Sequence, residues 1–179
     1  MKKILRNILV LAMGLMTTVS FAQDWNVDSR TRIDMGGDND KMEAAQRATV
    51  GATWGGSDWG IHASTVVNYD LNGNMPASLA VYEAYASADL MGYASLTAGR
   101  MAISNGSGAL MSSNDWGLNR YTSDGVSFGM NLGGFDINLG STGGVQYDNS
   151  NYMNASGNFG GAEVNILMMN QGENKAHGY

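Results

Sequence analysis

Arginine is sparse in this chain and falls where it could sort solutes by charge. After the first 22 residues the arginines are Arg30, Arg32, Arg47, Arg100 and Arg120, with lysine only at Lys41 and Lys175. A guanidinium holds a carboxylate in two-point fashion, which an ammonium cannot. Arg30, Arg32 and Arg47 are spaced to share one face of two neighbouring strands, where like charges directly opposite destabilise a sheet. They therefore need Asp28, Asp34 or a bound anion nearby. Two readings stay open. One is a basic strip that favours anionic or hydroxylated solutes; the other is a structural network with Asp28, Asp34, Glu83 and Asp89.

A second group of residues lies in the long connection Met101–Asp124. Ser104, Asn105, Ser107, Ser112, Ser113 and Asn114 offer polar contacts, and Trp116 and Tyr121 offer flat faces for a sugar ring. Long structureless insertions are usually functional or disordered. The expected use is a constriction shaped by Arg100, Asn114, Asp115, Trp116, Arg120 and Asp124. An exposed loop without that role is the plainer alternative.

Other chemistries find little support. The absence of cysteine removes disulfides, thiolate metal sites and cysteine nucleophiles. Asp38, Asn39, Asp40 and Glu43 gather hard oxygens of the kind calcium prefers, but no Glu stands at the position that would complete an EF-hand. A solvated acidic turn is the simpler reading. His62 and His177 are far apart, and neither sits in a motif with Ser or Asp. There is no Gly-x-Ser-x-Gly elbow and no phosphate loop. Neither enzyme activity nor a metal or cofactor is expected.

The elements that must position these residues are strands. Trp25, Val27, Ser29, Thr31, Ile33 and Met35 alternate with Asn26, Asp28, Arg30, Arg32 and Asp34. A period of two sends the two sets to opposite faces. The pattern recurs over 25–35, 44–54, 59–71, 81–90, 93–100, 125–132, 135–141, 152–159 and 162–169. Segments of about ten residues match a tilted strand crossing a bilayer. No sustained helical period appears. Glu83 and Asp89 share the polar set with His62, Ser64, Asp136, Asn138, Glu163 and Asn165.

The connections alternate in length. Gly36–Glu43, Asn72–Ala80, Met101–Asp124 and Thr142–Asn151 are long, while Gly55–Asp58, Met91–Gly92, Gly133–Gly134 and Gly160–Gly161 are short. Outer-membrane barrels have short turns at one end and long loops at the other. Trp25, Trp54, Trp59, Tyr69, Tyr93 and Phe135 fall near strand ends, where amphipathic rings favour a membrane interface. A soluble β-sandwich that binds polysaccharide is the competing architecture.

Residues 1–22 read as a signal peptide: Lys2, Lys3 and Arg6, an apolar run from Ile8 to Met16, then Ser20-Phe21-Ala22. Its removal takes three of the 10 basic residues, leaving 7 against 16 acidic, so the net charge moves from −6 to −9. That balance argues against nucleic acid as a partner. With 25 glycines and one proline, glycine serves tight turns and curved strands rather than linkers.

Gly99-Arg100-Met101, Asn114-Asp115-Trp116, Arg120 and Asp124-Gly125-Val126 resemble a segment of alginate-export-type porins. That segment runs from a Gly-Arg strand end, through an Asn-x-Trp loop, to an Arg and an Asp-Gly strand start. The resemblance covers residues 99–126. It implies an outer-membrane channel whose third extracellular loop folds inward, and homo-oligomers. The chain departs from that family in the small neutral run Gly106–Ala109, since such channels carry many lysines and arginines along the lumen.

The expectation is therefore an all-β protein, an antiparallel up-and-down transmembrane β-barrel with about nine strands present. Residues 1–22 would be the signal peptide and 23–179 the N-terminal part of the barrel. An odd strand number leaves two open edges, and the tail Asn170–Tyr179 lacks alternation. The expected role is a diffusion channel for small hydrophilic, anionic or sugar-like solutes, in contact with outer-membrane lipid. Arg30, Arg32, Arg47, Glu83 and Asp89 would line it.

Overall fold

Alternation gives a stable strand only where the two faces of the sheet meet different surroundings, and this chain alternates throughout. The computed structural model describes residues 23–35, 42–72, 76–143, 149–172 and 174–178. The signal-peptide segment 1–22 and the turn residues Asp38, Asn39 and Asp40 lie outside them.

The described residues contain ten strands and no helix. They are β1 (Gln23–Met35), β2 (Met42–Gly55), β3 (Trp59–Asp70), β4 (Ser78–Leu90), β5 (Ala94–Met101), β6 (Ser123–Leu132), β7 (Phe135–Gly143), β8 (Ser150–Phe159), β9 (Ala162–Gln171) and β10 (Asn174–Gly178). All lie in one sheet in chain order, and each pairs antiparallel with the next. β1 and β10 each have a single partner, so the sheet is open.

The tenth strand corrects the sequence expectation. Alternation predicts no strand in the tail Asn170–Tyr179, yet Asn174–Gly178 pairs with Leu167–Gln171. A backbone ladder needs N–H and C=O groups in register but no side-chain pattern, so a strand can form where the pattern is silent. The β9–β10 connection is also short, although it lies at the end where the other connections are long.

Glycine makes the tightest reversals. Gly133 and Gly134 have φ of 61° and 86°, and Gly160 and Gly161 have φ of 61° and 88°. Two successive positive φ values are what a two-residue hairpin with right-handed strand twist requires.

Between β3 and β4 the register slips. Ser64 opposes Glu83 and Thr65 opposes Val81, so Tyr82 is an extra residue in a β-bulge. The slip puts Tyr82 on the same face as Glu83 instead of the opposite one. Tyr82 is buried there.

One face of the sheet carries the connection 102–122. Its Gly106 lies against Asn165 of β9, and its Asp115 meets Arg30 of β1. A flat sheet would set those strands about 38 Å apart at about 4.8 Å per strand. The loop folds back so that Asn105 pairs with Met111, and Met111, packed with Leu167 and Met169 of β9, is only four residue steps from Asp115, about 14 Å fully extended. The sheet therefore curves around this loop, which occupies its concave face. On the convex face Val27, Ile61, Val126 and Ile166 are 71%, 49%, 47% and 42% exposed. The main buried apolar cluster lies between loop and concave face, from Met101, Ile103, Met111, Tyr152, Leu167 and Met169.

Candidate functional site

The loop has two lobes, each closed by its own hydrogen bonds. In the first, the Asn105 N–H donates to the Met111 carbonyl at 3.1 Å and the Gly108 N–H to the Asn105 carbonyl at 3.1 Å. In the second, the Tyr121 N–H donates to the Ser113 carbonyl at 2.8 Å. Asn114, at φ 52°, turns the second lobe and its Nδ2 donates to the Asn119 carbonyl at 2.8 Å.

The first lobe is seated by apolar packing. Met111 is completely buried against Ile103, Tyr152, Leu167 and Met169. Tyr152 lies flat over Gly140, its register neighbour, where a Cβ would come within 2.2 Å of the ring. The Tyr152 hydroxyl reaches Ser127 Oγ at 3.1 Å, which fixes the ring across β6, β7 and β8.

The second lobe is seated by charge. Arg30 Nη1 donates to the Asp115 carbonyl at 2.8 Å, and Arg47 Nη1 to the same carbonyl at 3.1 Å and to that of Gly117. Arg47 Nη2 also meets Asp28 Oδ2 at 2.7 Å. Arg120 pairs with Asp115 at 3.0 Å and lies 3.9 Å from Asp28. Its guanidinium sits 4.2 Å from the centre of the Tyr82 ring, and that of Arg30 4.6 Å from the Trp116 ring. Cations over aromatic faces are attracted by the ring quadrupole.

Arg30 and Arg47 stand directly opposite each other across β1 and β2. Two like charges so placed repel. Here the Asp28 carboxylate and two loop carbonyls separate them, which answers the question that the spacing raised. Arg47 is 1% exposed, so it is covered by the loop and is not open to solvent as the expected pore-lining role requires. Arg32 is exposed and pairs with Asp34 at 3.4 Å.

Glu83 and His62 hold the loop where it leaves β5. The Ala102 N–H donates to Glu83 Oε1 at 3.2 Å. His62 Nε2 lies 3.6 Å from the other Glu83 oxygen, and His62 Nδ1 is 2.8 Å from Thr53 Oγ1. The imidazole stacks on Tyr85 with ring centres 5.0 Å apart.

Two expected constriction residues belong elsewhere. Arg100 follows Leu96 and Ala98 in β5, and Asp124 precedes Val126 and Phe128 in β6, so the period of two sets both on the convex face. They form a two-point pair at 2.8 and 2.9 Å across the strands. Arg100 keeps the parity of the predicted strand 93–100, and Asp124 lies inside β6 and not in the connection that the sequence predicts. Asn114, Asp115, Trp116 and Arg120 do lie together in the second lobe, with Trp116 its most exposed aromatic at 85%. Asp89 lies apart from them, near the short turns.

Tyr82 was hidden by the bulge, which reverses its expected face. Tyr152, Leu167 and Met169 carry a sequence signal of their own: apolar residues on the polar face imply something apolar laid over it, and Met111 of the loop is what covers them.

No protein-family model and no curated protein matches this chain.

Proposed function

We propose that this chain forms the wall of an outer-membrane diffusion channel for small hydrophilic solutes, with loop 102–122 as its constriction. One observation carries the reading. A continuous antiparallel meander exposes apolar side chains over its convex face, while its concave face is polar and holds a folded loop. Apolar surface of that extent in water marks an interaction face, and lipid is the partner that could cover all of it.

The dimensions fit. From Trp25 to Met35 the convex side chains span ten residue steps, about 33 Å of strand. At a tilt of about 45° that projects to about 23 Å, close to the apolar band of about 25 Å on outer-membrane barrels. Trp25, Trp59, Tyr93 and Phe159 gather at the short-turn end and are all more than half exposed. Indole and phenol rings favour that interfacial position. A sandwich would need a second sheet over the convex face, and the described residues form one sheet.

The loop supplies the sieve. It is bonded to β1 and β2 on one side and packed on β8 and β9 on the other, so it crosses the concave space instead of lying along one wall. Size exclusion by such a bridge needs no moving part. The resemblance to alginate-export-type porins supports the same reading and adds the expectation of a homo-oligomer.

Fractionation tests it. The full chain, expressed with its leader, is expected in the detergent-extracted envelope, to migrate differently on gels before and after heating, and to conduct in planar bilayers. Release as a soluble, non-conducting protein would end the proposal.

A further inference from the structure

Resting on the channel reading, we infer that the passage prefers cations, because the loop takes up the arginines and leaves carboxylates as the free charges of the concave wall. Arg30 and Arg47 are bonded to loop carbonyls and Arg120 to Asp115, while Arg32 is matched by Asp34. Arg100 faces away and is held by Asp124. Those five are the described arginines, and each already has an acceptor.

The acids toward the short turns differ. Among the described residues no cation lies within 4 Å of Asp24, Asp89, Asp136 or Glu163. Asp24, Asp89 and Ser95 line one cleft of about 440 Å³. Asp89, Ser95 and Asp136 line a second of about 470 Å³. Sharing Asp89 and Ser95, the two make one trough along the wall, with Asp24, Asp89 and Asp136 along it. Glu163 faces a third space, of about 550 Å³, beside the loop at Gly106.

The claim concerns a field and not a bound ion. Rings of carboxylates in a narrow aqueous passage raise local cation concentration, and low-dielectric walls focus the effect. The loop level adds little of the opposite sign, since Arg47 and Arg120 pair with Asp28 and Asp115, and Glu83, on the Ala102 N–H, adds a third carboxylate to set against Arg30. This reverses the anion preference that arginine spacing suggests.

The test is the reversal potential of the full chain in planar bilayers under a potassium chloride gradient. Potassium should be preferred over chloride about threefold or more near 0.1 M salt, where the screening length is about 10 Å, and the preference should fade near 1 M. The double variant Asp89→Asn/Asp136→Asn should at least halve the ratio, and Arg32→Gln should not lower it. Chloride preference in the unmodified chain, or a cation preference indifferent to both salt and the double variant, would overturn the inference and leave the channel intact. If the double variant fails to insert, the sign and salt dependence of the unmodified chain decide. An inserted chain that does not conduct removes the channel reading together with this one.

Discussion

Arg47 and Asp115 stand 68 residues apart in the chain, and the Arg47 guanidinium donates to the Asp115 carbonyl at 3.1 Å. A buried cation that ends on backbone carbonyls fixes where a loop lies, whatever side chains the loop carries. Replacing Arg47 by Met should remove about 2 kcal/mol of loop anchoring, enough to raise the open-loop population about 30-fold. Limited proteolysis should then cut between Asp115 and Arg120 that much faster, and single-channel conductance should rise while the sheet still forms.

Gly140 keeps the other seat of the loop. A Cβ at this position would meet the Tyr152 ring at 2.2 Å. Gly140→Ala should therefore lower stability by about 1–3 kcal/mol through overpacking. Pairing it with Tyr152→Ser, which vacates the space, should recover part of the loss in denaturant unfolding. No recovery would mean that the ring is not what the alanine strikes.

Nine strands could be read from residue order because each has one polar and one apolar face, and that pattern survives with no knowledge of partners. β10 could not, since Asn174–Gly178 pairs with β9 without an alternating residue pattern. Parity fails at one place inside a strand, Tyr82, where the bulge inserts a residue. Arg100 and Asp124 show a different limit. Arg100 ends the predicted strand 93–100 and carries its apolar-face parity, whereas Asp124 falls in the predicted connection and joins β6 only because that strand begins two residues earlier, at Ser123. The Asp28 partner of the arginine clamp follows from spacing, but Arg30 and Arg47 also end on loop carbonyls, which every residue possesses and no sequence pattern marks.

Convex and concave positions should answer differently to charge. Val50 lies mid-strand on the convex face and is 44% exposed. Val50→Arg should cost roughly 2–4 kcal/mol when the chain unfolds from vesicles, as for a lipid-facing arginine near the midplane. Ser95→Arg, on the concave side next to Asp89, should change stability by less than about 0.5 kcal/mol. Equal effects at both positions would argue that the same medium touches both faces.

Trp116 separates sieving from stability. Its ring is exposed and stacked with Arg30, a contact worth about 0.5–1 kcal/mol at an exposed site. Trp116→Ala should thus leave the unfolding midpoint nearly unchanged and still increase conductance and the size limit for neutral sugars. Unchanged solute exclusion would place Trp116 outside the narrow point.

The most direct measurement uses the chain's lack of cysteine, which allows single probes to be placed without background. Spin labels at successive positions 135–139 of β7, in vesicles, report access to oxygen dissolved in lipid and to a water-soluble nickel reagent. Positions 135, 137 and 139 should favour oxygen, and 136 and 138 should favour nickel, with a period of two. Access to the nickel reagent at all five positions, or protection from both reagents at 135, 137 and 139, would contradict a wall between lipid and water.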